Sequence, residues 1–193
     1  AVKYTVKPGR VWSDGTPIDG VDLLLSHVLA SSQYSKDAGL GDPADTEKLP
    51  AFNSFYGGPY DSHIKGVPAL SSDKMSVTLC YDAFQPDWAI MGPGPAPVHT
   101  LVQMANGKTS AQSLAHNKLD KAAFLAAIKT KDTDLLKKIG DVWSNDYNIQ
   151  TVNSSTNELL FVGNGGFTVK SAVKDASVTL TVNPKYNSGP KLS

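Results

Sequence analysis

Cysteine is all but missing from this chain of 193 residues, where Cys80 stands alone. A single thiol closes no intramolecular disulfide and builds no cysteine-based zinc cluster. An excess of either charge is missing too: lysine plus arginine is 18, aspartate plus glutamate is 18, and the net charge is zero. That balance argues against a general nucleic-acid binder, which needs a basic surface to displace counterions, although a local basic patch is compatible with it. No run approaches the roughly 18 apolar residues of a membrane helix. No charged-then-apolar leader opens the chain at Ala1, so export would need a targeting segment outside this sequence. The start at Ala1-Val2-Lys3, already inside a strand pattern, reads as a processed or cut chain.

The motifs of several chemistries are also lacking. His27, His63, His99 and His116 offer no i, i+4 metal pair and no HExxH sequence, and they read as surface or capping residues. Gly163-Asn164-Gly165-Gly166 lacks the GxxxxGKS/T pattern and precedes a strand pattern, so a hairpin turn accounts for it better than a phosphate loop. No G-x-S-x-G elbow surrounds any serine. Asp14, Asp19 and Asp22 are interrupted by Ile18 and Val21 and lack the closing glutamate of a calcium loop; turn formation and capping explain them. Cys80 alternates with Ser76 and Thr78 and no helix start follows it, which favours a quiet strand thiol over a nucleophile paired with His99. Asn153-Ser154-Ser155 fits the unspecific glycosylation sequon.

What the chain does have is local structure signals in mixed succession. Val2, Tyr4 and Val6 alternate with Lys3, Thr5 and Lys7, a strand with one buried face. Trp12-Ser13-Asp14-Gly15-Thr16-Pro17 is a tight turn, with Gly15 free to take positive φ and Pro17 directing an extended exit. Asp19 then caps a helix, with Asp22 placed for a capping box, and Val21, Leu24, Leu25, Val28 and Leu29 form one apolar face. Residues 33–59 read as a long loop with short helical turns; its Phe52, Phe55 and Tyr56, with Tyr60 and Trp88, plug onto the core rather than line a ligand surface. A hairpin is expected over about 63–81, from a short strand at His63–Val67 and the alternating Met75–Tyr81. Phe84–Ile90 reads as a short helix, after which Pro93, Pro95 and Pro97 break regular structure. Helices are expected next at Lys118–Lys129, with Leu119, Phe124, Leu125 and Ile128 on one side, and after Asp132 or Thr133, with Leu135, Leu136, Ile139, Val142 and Trp143. Glu158–Val162 reads as a short strand, and Phe167–Ser171 with Ser177–Val182 as a second hairpin whose apolar face is Val178, Leu180 and Val182. This order, without steady βαβ alternation, indicates an α+β fold with mainly antiparallel strands and flanking helices.

Four segments together resemble one family. Trp12-Ser13-Asp14-Gly15-Thr16-Pro17 leading into the Asp22-Leu23-Leu24-Leu25-Ser26 helix, the Lys74–Tyr81 strand, Pro97-Val98-His99, and Phe167–Tyr186 ending Asn183-Pro184-Lys185-Tyr186 resemble, in order, the bacterial extracellular solute-binding proteins of family 5. These are the peptide- and nickel-binding components of ABC importers. The chain departs from the family pattern at Lys7-Pro8-Gly9, Gly20 and Gly165-Gly166-Phe167, and residues 104–156 match loosely. The resemblance implies a partial lobe of the type II periplasmic-binding-protein kind. Residues 1–193 would form one compact domain of a longer, two-lobed protein.

The resemblance further implies a monomeric, non-enzymatic, extracytoplasmic protein, lipid-anchored at full length. It would bind oligopeptides or dipeptides and deliver them to a membrane permease, without cofactor, metal or nucleic acid. No ligand-binding residue carries over. Two other readings stand beside it: a small hydrolase using Cys80 and His99, and a non-catalytic structural domain of a secreted protein.

Overall fold

Helix α1 (Gly20–Ala30) begins where Asp19, in extended conformation, stops the incoming chain. The Asp19 carboxylate accepts from the Val21 N–H at 2.9 Å, and Asp22 reaches back to accept from the Asp19 N–H at 3.0 Å. This reciprocal pair satisfies donors that a helix start leaves open. The computed structural model describes residues 1–45, 47–52 and 60–190.

α1 is apolar nearly all round, the mark of a helix buried on more than one side. Val21, Leu25, Val28 and Leu29 join a cluster with Phe52, Leu101, Phe124, Leu136 and Ile139, while Leu23 and Leu24 pack with Tyr60, Val77 and Leu79. A short α2 (Ser32–Asp37) continues from α1. One side of α1 faces helices α3 (Val98–Ala105), α4 (Leu114–Thr130) and α5 (Thr133–Asp141). The other faces a three-stranded antiparallel sheet of β1 (Val2–Thr5), β2 (Ala69–Leu70) and β3 (Ser76–Leu79), ordered β1-β3-β2. Val2 pairs with Leu79 and Tyr4 with Val77, so the alternation in both sequences puts their apolar sides on one face. β4 (Phe167–Val173) and β5 (Ser177–Val182) form a separate antiparallel hairpin. The fold is mixed α+β, with five helices and small antiparallel sheets among the described residues.

Several expected elements differ. His63–Val67 contributes a single bridge, Ile64 to Tyr81, and β3 pairs instead with Ala69–Leu70. Phe84–Ile90 makes one turn, with Ile90 and Met91 both donating to the Asp87 carbonyl; Pro86 supplies no N–H to extend it. Glu158–Phe161 is a 3-10 turn rather than a strand, started by Asn157 accepting from the Leu159 N–H at 3.0 Å. α3 is an addition to the expected elements, although Val98, Leu101, Val102 and Ala105 carry helical spacing. In α4, Leu119 is 66 % exposed, and the inward face is Asn117, Asp120, Lys121 and Phe124. Of the loop aromatics, Phe52 and Tyr60 are buried and Trp88 is exposed, while Phe55 and Tyr56 lie outside the described residues.

Candidate functional site

The Trp12–Pro17 turn is built as its residues dictate. Gly15 takes φ +94°, its N–H donates to the Trp12 carbonyl at 2.8 Å, and Trp12 N–H donates to the Thr16 carbonyl at 2.8 Å. The Asp14 carboxylate accepts from the Thr16 N–H at 2.9 Å. Trp12 is buried, and its ring lies 6.5 Å from that of His99.

Asp14 is the point where distant segments meet. His99, from the first turn of α3 and fully buried, brings Nε2 to 2.8 Å from Asp14 Oδ2. Lys185 donates to the Asp14 carbonyl oxygen at 3.1 Å across 171 residues of chain. Ser13 N–H donates to the Gly163 carbonyl at 2.9 Å, and Gly163 N–H donates to Ser13 Oγ at 3.2 Å. Asn183 is buried and ties the end of the hairpin to its start, donating from Nδ2 to the Gly165 carbonyl at 2.9 Å.

Beneath the turn lies a polar network held by α4. Asn117 donates to Thr16 Oγ1 at 2.7 Å, and Gln103 of α3 donates to Asn117 Oδ1 at 2.7 Å and Asp120 Oδ2 at 2.6 Å. One turn further on, Lys121 donates to Asp22 at 2.7 Å and to the Pro17 carbonyl at 2.7 Å, with Asp19 at 3.2 Å. This is why the inward face of α4 is polar: the charged N-terminal turn of α1 is buried against it, and charges out of water need partners. Burial raises the pKa of Asp22, opposed chiefly by the Lys121 ammonium.

Above the turn opens a cleft of about 320 Å³, lined by Ser13, Asp14, Glu158, Val169, Asn183 and Pro184 among others. Burial works to raise the Asp14 carboxyl, but the His99 contact and the Thr16 N–H outweigh it and hold the pKa at about 2. Asp14 is therefore an anion at neutral pH, an acceptor rather than a proton donor. Glu158 is anchored by accepting from the Ala111 N–H at 2.7 Å. The arrangement suits hydrogen-bond donors and an ammonium group next to apolar wall atoms.

Local sequence signals point to the turn and to the Asp19 cap, but not to the partnership of Asp14 with His99 or of Asp22 with Lys121. No local pattern joins residues so far apart. Cys80 is exposed just past the end of β3 and makes no hydrogen bond to His99, whose Nε2 is engaged by Asp14 and whose buried Nδ1 has no partner. The two residues of the hydrolase reading are thus not brought together. His63 sits 3.0 Å from Asp82 and His116 3.5 Å from Asp120, both as half-buried histidines. Among the described residues no group of three or more His, Cys, Asp or Glu is placed to hold a metal ion, and no helix is long and apolar enough to cross a membrane. Compared with protein-family models, curated proteins and solved structures, the chain matches none.

Proposed function

We propose that this chain is a lobe of the solute-binding component of an ABC importer, holding short peptides outside the cytoplasmic membrane for delivery to a permease. One observation carries the reading. Three of the four segments that resemble family 5 solute-binding proteins meet at Asp14, where the Trp12 turn is tied to His99 and to Lys185, and the fourth, Lys74–Tyr81, is joined to the start of α1 by the Gly20 N–H donating to the Lys74 carbonyl. The meeting of three of them at one residue supports treating those three as one constellation. The cleft above Asp14 fits the role, because its carboxylates suit a peptide's terminal ammonium and its apolar atoms suit side chains. Function would be binding by closure of two lobes, with no bond chemistry.

The test is titration of the isolated chain with di- to pentapeptides. One lobe buries only part of a peptide, so weak, saturable perturbation of the Ala111, Thr168 and Val169 amide resonances is expected near about 1 mM, corresponding to roughly 4 kcal/mol. N-acetylated peptides should perturb them less. Sub-micromolar affinity would contradict a single lobe, and undisturbed resonances would remove the peptide reading.

A further inference from the structure

The outer edge of β5 carries none of the devices that keep a sheet edge from pairing. All six of its residues are exposed, and none is charged or a proline. The other edge of the hairpin is closed near its turn. There the Val152 N–H donates to the Ala172 carbonyl at 2.9 Å, and Thr151 Oγ1 accepts from the Lys174 N–H at 3.3 Å. Among the described residues β5 has β4 as its sole strand neighbour. A two-stranded hairpin is marginal in water, and a further strand stabilises it.

Backbone alternation decides which groups face outward. The Asn183 N–H donates to the Gly166 carbonyl at 2.9 Å, so Asn183 turns its main chain towards β4. Successive residues of a strand turn theirs to opposite edges, so Thr181 and Thr179 also face β4, while Val182, Leu180 and Val178 face outward. The irregularity between Val169 and Ser171 lies on β4 and leaves the alternation along β5 unbroken. The same three residues carry the exposed apolar side chains of β5. The sequence then selects the partner. Val178-Thr179-Leu180-Thr181-Val182 reads the same in both directions. Antiparallel strands run opposite ways, so a strand that reads alike both ways is complementary to itself.

We propose that β5 pairs antiparallel with β5 of a second copy of this chain, about a two-fold axis at Leu180. Leu180 faces its counterpart and exchanges both N–H···O bonds with it, and Val178 does the same with Val182 of the second copy. Leucine meets leucine and valine meets valine on the apolar side, and Thr179 stands opposite Thr181 on the other. The pairing is two-fold and uses up the open edge, so assembly stops at a dimer. Six residues a side is well below the roughly 20–30 of a stable interface, which places dissociation near about 0.1–1 mM. This dimer is independent of the peptide reading, which concerns the Asp14 cleft.

Sedimentation and nitrogen-15 amide spectra of the chain, from about 0.02 to 2 mM, should show a monomer–dimer equilibrium. The Val178, Leu180 and Val182 amides should move with concentration, and the Thr179 and Thr181 amides, already bonded to β4, far less. Leu180→Lys sets like charges opposite each other and should weaken association at least about tenfold, as should Leu180→Glu, while an equimolar mixture of the two should restore it. A cross-linking test carries the proposal if the Leu180 variants fold poorly. Thr179 and Thr181 face each other across the seam as a non-hydrogen-bonded pair, with Cα atoms about 4.5 Å apart, within disulfide range. With Cys80→Ser throughout, Thr179→Cys mixed with Thr181→Cys should therefore cross-link on oxidation at least about tenfold faster than Thr179→Cys alone. A chain monomeric across the whole range, undiminished association of folded Leu180→Lys, or a mixture that cross-links no faster than Thr179→Cys alone would each overturn the proposal.

Discussion

Acid should act on stability through His27. Burial lowers its pKa from 6.5 to about 4, so between those values the unfolded chain binds more protons than the folded one. The neighbouring Tyr34 and Tyr60 hydroxyls are raised by burial and stay neutral throughout this window. The His27 contribution to stability is therefore full above pH 6.5 and declines as pH falls towards 4, by about 3 kcal/mol in all. Asp14, lowered from 3.8 to about 2, adds a later loss between those values. Urea midpoints should trace both steps, and His27→Gln should flatten the first while leaving the second; wild-type and His27→Gln curves that run parallel from pH 6.5 to 4 would refute this. Lys121 matters in a different way. Lys121→Met strands the fully buried Asp22 carboxylate and should lower unfolding stability by about 3–5 kcal/mol. The double change with Asp22→Asn should recover part of that loss, and an equal or larger loss would count against the pair's role.

Among the elements, α5 holds the sharpest conflict between propensity and packing. Gly140 sits inside the helix, where alanine would be favoured by about 1 kcal/mol. A Cβ there would lie 2.2 Å from the Ala51 carbonyl oxygen, a backbone atom that cannot rotate away. Gly140→Ala should therefore destabilise by about 1–3 kcal/mol in chemical denaturation, and a stabilised variant would show that the Ala51 segment yields. The helices also mark how far the sequence is legible. Asp19, Asp132 and the starts of α1 and α5 can be read from it, because caps and helical spacing are local. α4 can be read as a helix, and Phe124, Leu125 and Ile128 do face the core, but apolar spacing misplaces Leu119, which points out because Asn117, Asp120 and Lys121 are needed against the Trp12 turn and α1. The Pro93–Pro97 run masks the start of α3.

Across the whole molecule, stability should be uneven. The helices and the β1-β3-β2 sheet share buried clusters through α1, whereas the β4–β5 hairpin contributes no residue to either cluster. Register places Phe167, Val169, Ala172, Val178, Leu180 and Val182 on one side of the hairpin, yet Phe167, Val178, Leu180 and Val182 are exposed. Its attachment runs through Thr151, Val152 and Lys185 by hydrogen bonds. Native-state hydrogen exchange should find β4 and β5 amides opening at least about 2 kcal/mol below those of α3 and α4, since local stability follows buried apolar contact. Equal protection would mean that the hairpin unfolds only with the core.

By itself the sequence determined what depends on near neighbours: the Gly15 turn, the Asp19 capping box, the strand alternation at β1 and β3, the hairpin of β4 and β5, and the mixed α+β class. These rest on φ preference, capping and periodicity, which act within a few residues. Tertiary structure alone decided that Asp14 meets His99, that Lys121 neutralises Asp22, that Leu119 faces water, and that the hairpin's apolar side stays open. Each is a choice of partner across long stretches of chain. There the cost of burying a charge outweighs a local pattern of apolar spacing.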